Sequence, residues 1–180
     1  MIAEETLVKE LKSKDTQAHA FEVLVSTYKE RLYWHIRRIV LNHDDADDVL
    51  QNTFIKVFRN IEGFKGDSKL FSWMYRIATN EALSFLKQKT KKLGISDVDY
   101  QEKMVENLQA DVYFEGDDIQ LKLQKAIATL PEKQKLVFNM KYFEDLKYEE
   151  ISEILNISVG GLKASYHLAV KKLENYLTQD

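Results

Sequence analysis

The chain predicts an all-α protein of two small helical domains joined by an acidic linker, and three observations carry that prediction. Gly and Pro number only 6 and 1 in 180 residues, while the helix formers Leu, Lys and Glu abound. Apolar residues recur at three- and four-residue spacing along most of the chain, the period of an amphipathic helix. Between Gly94 and Asp117 that period fades and acidic residues gather.

The elements follow in order. Leu7 to Ser13 reads as a short helix. Asp15 or Thr16 caps a long one reaching about Leu41, with Phe21, Leu24, Val25, Tyr28, Leu32, Ile36 and Ile39 as its apolar stripe. Asp44 is the expected cap of the next helix, which ends near Gly63; its inward stripe is Leu50, Phe54, Val57, Phe58 and Ile61. Gly66-Asp67-Ser68 is a turn, and Ser68 opens a helix that runs into the lysines at 87–92. The domains expected are 1–92 and 119–180, with 93–118 as a flexible acidic linker. The second domain holds helices near Ile119–Thr129, Pro131–Phe143, Glu149–Leu155 and Val159–Leu177. Pro131 sits in a first turn, where proline is tolerated.

Composition narrows function. With no cysteine there is no disulfide framework, thiolate metal site or cysteine nucleophile. The four histidines (19, 35, 43 and 167) show no ligand spacing with each other or with nearby acids, so no metal is expected. No nucleophile–base pair and no glycine-rich phosphate loop appears, so neither catalysis, a cofactor nor a small-molecule substrate is expected. The amino terminus lacks signal-peptide order and no apolar run approaches a membrane span, which predicts a cytoplasmic protein.

A net charge of −3 is unusual for a DNA-binding protein, but the charges are segregated. Residues 65–92 carry seven basic side chains and two acidic ones, whereas 97–118 carry eight acidic and one basic. A local patch sets the local potential whatever the sum. An acidic whole implies weak non-specific DNA binding by the free chain, as in a protein that meets DNA within a larger assembly.

Three surfaces stand out. The first is the polar face of the helix over 45–61: Asp45, Asp48, Asn52, Ile55 and Arg59, with Gln51 on the flank. An isoleucine amid that face suits a protein partner as well as a lone exposed apolar residue. The second combines the Lys65–Ser68 loop with the helix after it. Lys69, Arg76, Asn80 and Lys87 lie 7, 4 and 7 residues apart, within a wedge of roughly 40°. Ser72 and Trp73 adjoin them; Trp73 reads equally as core or as a stacking ring. Cations, an amide and an aromatic suit unstacked single-stranded DNA better than a closed duplex. The third is a helix-turn-helix over 148–173. Ser158 caps its second helix, Val159, Leu162, Tyr166, Ala169 and Leu173 form the inward seam, and Gly160, Lys163, Ala164, His167 and Lys171 face the opposite way. A small, cationic front of this kind fits between base edges and phosphates in the major groove.

These motifs occur together in one known family. Asp45-Ala-Asp-Asp-Val-Leu-Gln-Asn-Thr-Phe54 resembles the DAED-x-x-Q-E-x-F segment of bacterial RNA polymerase sigma factors. Phe64-Lys-Gly-Asp-Ser68 with Ser72-Trp-Met-Tyr-Arg-Ile-Ala78 and Asn80 resembles the first block of their extracytoplasmic-function group. Leu130-Pro-Glu-Lys-Gln134, Tyr142-Phe-Glu-Asp-Leu146, Tyr148-Glu-Glu-Ile151 and Ile157-Ser-Val-Gly160 resemble that group's second DNA-binding domain. The resemblance implies a region 2 bundle and a region 4 helix-turn-helix domain in a sigma factor, free as a monomer. Its implied partners are core RNA polymerase (β′ clamp helices and β flap), promoter DNA and a membrane-bound anti-sigma factor. Asp45, Asp48, Gln51, Asn52 and Ile55 would then dock on polymerase. Lys65, Ser68, Lys69, Ser72, Trp73, Arg76, Asn80 and Lys87 would hold the minus-ten strand. Gly160, Lys163, Ala164, His167 and Lys171 would read the minus-thirty-five duplex. Relatives often carry arginines where this chain has Ser165, Leu168 and Val170, which implies a different upstream element. The competing reading is a stand-alone helix-turn-helix regulator, which usually dimerises on a palindrome; no dimerisation stripe is evident.

Overall fold

The computed structural model describes residues 3–111 and 115–179, so the linker expectation at 112–114 lies outside the described residues. Among the latter there is no strand. The order is α1 (Glu4–Leu11), α2 (Gln17–Val40), α3 (His43–Asn60), a 3-10 turn (Ile61–Gly63), α4 (Leu70–Leu93), α5 (Asp97–Glu106), a second 3-10 turn (Leu108–Ala110), α6 (Asp118–Ala128), α7 (Glu132–Tyr142), α8 (Tyr148–Leu155) and α9 (Val159–Thr178).

Most boundaries have a local cause, and several differ from expectation. Helix α3 is capped by Asn42, whose Oδ1 accepts from the Asp45 N–H at 2.9 Å; Asp44 falls inside the first turn, where its charge suits the helix dipole. Helix α4 begins at Leu70 without a side-chain cap from its own Lys69. Its free Leu70 N–H donates instead to Glu4 Oε1 of α1 at 2.9 Å, a cap that no local pattern could reveal. Gly94 ends α4 at φ +68°, the left-handed geometry glycine supplies cheaply. Pro131 precedes α7 as its N-cap rather than occupying its first turn. Asp117 caps α6 and Ser158 caps α9, through the Gln120 N–H at 2.9 Å and the Gly161 N–H at 3.2 Å.

The segment expected to be irregular is helical over Asp97–Glu106, with Ser96 as its N-cap. Tyr100 and Val105 of α5 are buried. The aperiodic sequence signal concealed this helix because only three of its ten residues face inward.

Helices α2, α3 and α4 pack on one another around Leu24, Leu32, Ile36, Val49, Leu50, Val57, Met74 and Ala78, all 5% exposed or less. Burial of each Leu, Ile, Val or Met side chain among them contributes ~1.5–3 kcal/mol. Helices α6, α7 and α9 enclose a smaller cluster of Ala126, Ile127, Leu130, Phe138, Ala169 and Leu173. The two halves are not separate beads. The larger core continues through Val137, Met140, Ile151 and Ile154, because α8 lies along α4 and α7 touches α2.

Polar contacts cross the same boundary. Arg37 of α2 pairs with Asp111, and Lys135 of α7 donates to the Gln101 side chain of α5. Glu144, in the turn between α7 and α8, inserts Oε1 against His35 Nδ1 at 2.8 Å, with Arg38 at 3.9 Å. The other ring nitrogen of His35 meets Thr79 Oγ1 at 2.8 Å. Burial acts to raise the Glu144 pKa, but the charge and hydrogen bond of His35, joined by Arg38 and Tyr75, outweigh it, so the carboxyl titrates below its ordinary 4.5.

Two outcomes follow. Glu4→Ala removes the tertiary cap of α4 and should lower unfolding stability by ~1 kcal/mol in chemical denaturation, a typical loss for a helix cap. A depressed carboxyl pKa contributes stability that is full above the unfolded value and is lost as pH falls through the folded one. The Glu144 carboxyl carbon, followed by NMR, should therefore titrate only below pH 4.5; a midpoint at or above it contradicts the buried ion pair.

Candidate nucleic-acid interface

The sequence-predicted residues fall on three surfaces, each set by the helix that carries it. On α3, the inward residues Val49, Leu50, Thr53, Phe54 and Val57 are buried, which turns Asp48, Gln51, Asn52 and Ile55 outward. Ile55 is 42% exposed with polar neighbours around it. Asp45 differs from them. It is half-buried, ion-paired with Lys89 of α4 and 3.3 Å from the Tyr100 hydroxyl of α5. Phe58, expected in the core, is 41% exposed, with its ring edge against Phe21 at 5.0 Å.

On α4, Leu70, Met74, Ala78 and Ala82 are fully buried, so the row of Lys69, Arg76, Asn80 and Lys87 is exposed along the opposite side. Lys65 is exposed and Ser68 half-buried. Trp73 is half-buried and packs on Phe64 at 5.2 Å between ring centroids. It also borders a hollow of about 280 Å³ with Lys65, Asp67, Ser68, Arg76 and Glu153. Ser72 must be corrected. It is 0% exposed and its Oγ has no hydrogen-bonding partner among the described residues. The start of α4 is covered by α8 as well as by α2 and α3, so a residue off the exposed row is enclosed there.

On α9, Leu162, Ser165, Ala169 and Leu173 face inward, and Gly160, Lys163, Ala164, His167 and Lys171 are all exposed. The turn before them places Asn156 at φ 55°, a left-handed geometry that asparagine tolerates well and that sets the crossing of α8 and α9. Ser165 is 7% exposed; an arginine there would have no access to DNA, so of the three recognition-helix differences only the half-buried Val170 and the exposed Leu168 remain relevant. Lys163 Nζ lies 5.8 Å from the Tyr148 ring, a contact that steadies the front of the motif.

Sequence reasoning missed the acidic side of α8. Glu150 Oε1 stands 3.4 Å from Lys69 Nζ, and the Glu153 carbonyl accepts from Arg76 Nε at 3.2 Å. Burial tends to raise the Glu150 pKa, but the Lys147 backbone N–H and Lys69 bring it below the usual carboxylate value. The pairs are separated by 81 and 77 residues, and no local signal links them. No cluster of His, Cys, Asp or Glu among the described residues has the form of a metal site. No helix among them is long and apolar enough to cross a membrane.

Comparison with known proteins matches this geometry. Residues 24–92 match the family model for sigma-70 region 2, and residues 120–173 match that for sigma-70 region 4. The ECF RNA polymerase sigma factor SigW of Bacillus subtilis is 32% identical over 94% of this chain and 94% of its own length. Two solved structures share the fold. CnrH in complex with the cytosolic domain of CnrY superposes with a TM-score of 0.72 at 19% identity, over 99% of both chains. The sigma factor RpoE, solved with the anti-sigma factor NepR from Bartonella quintana, gives 0.66 at 20% identity, over 89% of this chain and 98% of its own. With α4 and α9 each presenting a polar row outside an apolar seam, and a whole-length relative above 30% identity, the chain belongs to the ECF sigma factors of bacterial RNA polymerase.

Proposed function

We propose that this sigma factor divides its work among the three exposed faces. Region 2 spans 1–92, the acidic connection 93–118 and region 4 119–180, with α5 as a structured part of the connection. The observation that carries the reading is the exposed row of Lys69, Arg76, Asn80 and Lys87 beside the half-buried Trp73. Guanidinium and ammonium groups hold phosphates, the Asn80 amide makes paired hydrogen bonds to a base edge, and Trp73 offers a ring for stacking. Lys65 and Ser68 extend the surface along the preceding loop. Such a surface holds a minus-ten base outside the duplex, and its contacts offset the few kcal/mol that unstacking costs.

Core polymerase docks on Asp48, Gln51, Asn52 and Ile55, where an apolar side chain ringed by polar ones suits the centre of a protein interface. Asp45 acts behind that face, holding Lys89 and Tyr100. Gly160, Lys163, Ala164, His167 and Lys171 enter the major groove of the minus-thirty-five element: the small residues allow close approach, and the cations meet phosphate or guanine. The chain contributes recognition and strand capture, with RNA synthesis belonging to the polymerase. It works in the cytoplasm. Because RpoE was solved with an anti-sigma factor, a protein antagonist covering the same faces is the natural further partner. Family membership removes the support for a stand-alone regulator.

Two variants test the division of labour in transcription assays with core polymerase. Asn80→Ala should slow promoter opening by about tenfold, the size of one lost base contact of ~1–3 kcal/mol, while core affinity stays unchanged. Asp48→Lys should weaken core binding by about tenfold through like-charge contact while leaving the DNA faces intact. If Asn80→Ala loosens core binding and Asp48→Lys spares it, the two faces are misassigned.

A further inference from the structure

A cavity of about 230 Å³ lies where α4, α5 and α7 come together. Its walls are largely aliphatic: Ile39 of α2, Leu83 and Leu86 of α4, Leu130 of the turn between α6 and α7, and Leu136 of α7. Among the described residues no aromatic ring lines it, which suits a flexible chain better than a planar molecule. Sites for drug-sized ligands run to ~300–1,000 Å³, so a ligand here is smaller than those.

Four charged side chains line the same cavity. Three of them, Lys87 of α4, Asp97 of α5 and Glu132 of α7, are exposed, and Asp97 already accepts from Thr90 Oγ1 at 2.6 Å. Lys135 of α7 differs. It is half-buried, and its ammonium donates to two neutral oxygens, the Gln101 side-chain carbonyl and the Ala128 backbone carbonyl, the latter at 3.4 Å. Among the described residues no carboxylate lies within ion-pair distance of it. Asp97 and Glu132 act on it only through space. Burial outweighs both and brings the Lys135 pKa down to about 8. An ammonium drawn out of water is costly unless an anion compensates it. It carries three protons; two are directed at Gln101 and Ala128, which leaves one without an acceptor. The chemistry unmet at this site is therefore an anion at Lys135, continuous with an aliphatic wall.

We propose that this cavity is a binding site for a small amphipathic carboxylate, whose carboxyl group pairs with the Lys135 ammonium while an aliphatic chain of medium length lies along Leu83, Leu86 and Leu136. The carboxylate takes the remaining proton of the ammonium in a charge-assisted hydrogen bond, stronger than the two bonds to neutral oxygens. The chain covers apolar wall that water otherwise meets, which favours binding without adding direction. Direction comes from Lys135 alone. The inference does not depend on how the polymerase and DNA faces are assigned.

Octanoate is the probe and octanamide its uncharged counterpart, each titrated calorimetrically into the full-length chain. Octanoate is ionised throughout the neutral and alkaline range, whereas only protonated Lys135 can pair with it. Its affinity should therefore fall about tenfold from about pH 7 to about pH 9. Octanamide should bind more weakly at about pH 7 and show no such fall. Lys135→Met keeps the length and apolar stem of the side chain and removes the charge; it should lower octanoate affinity to that of octanamide and abolish the pH response. In NMR spectra the octanoate methylenes should show contacts to the methyl groups of Leu83 and Leu136. Absence of saturable octanoate binding overturns the site. Equal affinity for the two probes, or an octanoate affinity that does not change with pH, overturns the pairing with Lys135. Contacts only to methyl groups elsewhere in the chain place the binding outside the cavity and overturn the proposal as well. Should Lys135→Met fail to fold, the pH series and the NMR contacts of the wild-type chain decide the matter unaided.

Discussion

Helix α4 is the constraint on which the rest depends. It must bury Leu70, Met74, Ala78 and Ala82 against α2 and α3 while its other side carries Lys69, Arg76, Asn80 and Lys87. A helix turns about 100° per residue, so fixing one side in a core dictates where the opposite row points. The cost of rotating α4 is the solvation of several aliphatic side chains and the burial of cations, which fixes the direction in which the polar row projects. The strand capture proposed for that row would draw on such a fixed direction, because a base held out of the stack gains little from side chains that must first be ordered.

The boundary between the two halves works by a different balance. Apolar residues of α7 and α8 continue the core of α2 and α4, and this favours contact without direction. Direction comes from the largely enclosed pairs, His35 and Arg38 with Glu144 and Arg37 with Asp111, to which the exposed pair of Lys69 with Glu150 adds little. Buried ion pairs gain little net stability over apolar packing because desolvation opposes them, yet they penalise any misaligned seating heavily. A boundary of this kind selects one arrangement and still permits separation when a partner supplies enough differential affinity.

The candidate site was legible in proportion to how local its determinants are. The rows on α3, α4 and α9 follow from helical spacing, and nearly all residues read from them are exposed. The exceptions each have a tertiary cause. Ser72 is enclosed because a second element lies over the start of α4. Asp45 is engaged because Lys89 and Tyr100 reach it from two other helices. Phe58 is partly exposed because it lies off the buried Val57 and Ile61 side of the chain there, with its ring edge against Phe21. Helix α5 went unread because an isolated ten-residue helix shows its period only when most inward positions are apolar, and one of its three buried residues is Gln101.

Sequence by itself determined that the chain is helical, where most helices begin and end, which faces are apolar, and which polar rows oppose them. Those properties arise from backbone propensity, capping and spacing within a few residues, so they are written locally. Tertiary structure alone decided that Glu4 caps α4, that Glu144 meets His35 across 109 residues, and that α8 rests on the cations of α4. Such pairings depend on how helices are brought together by the burial of surfaces far apart in the chain, and no periodicity records which charge will be left facing which.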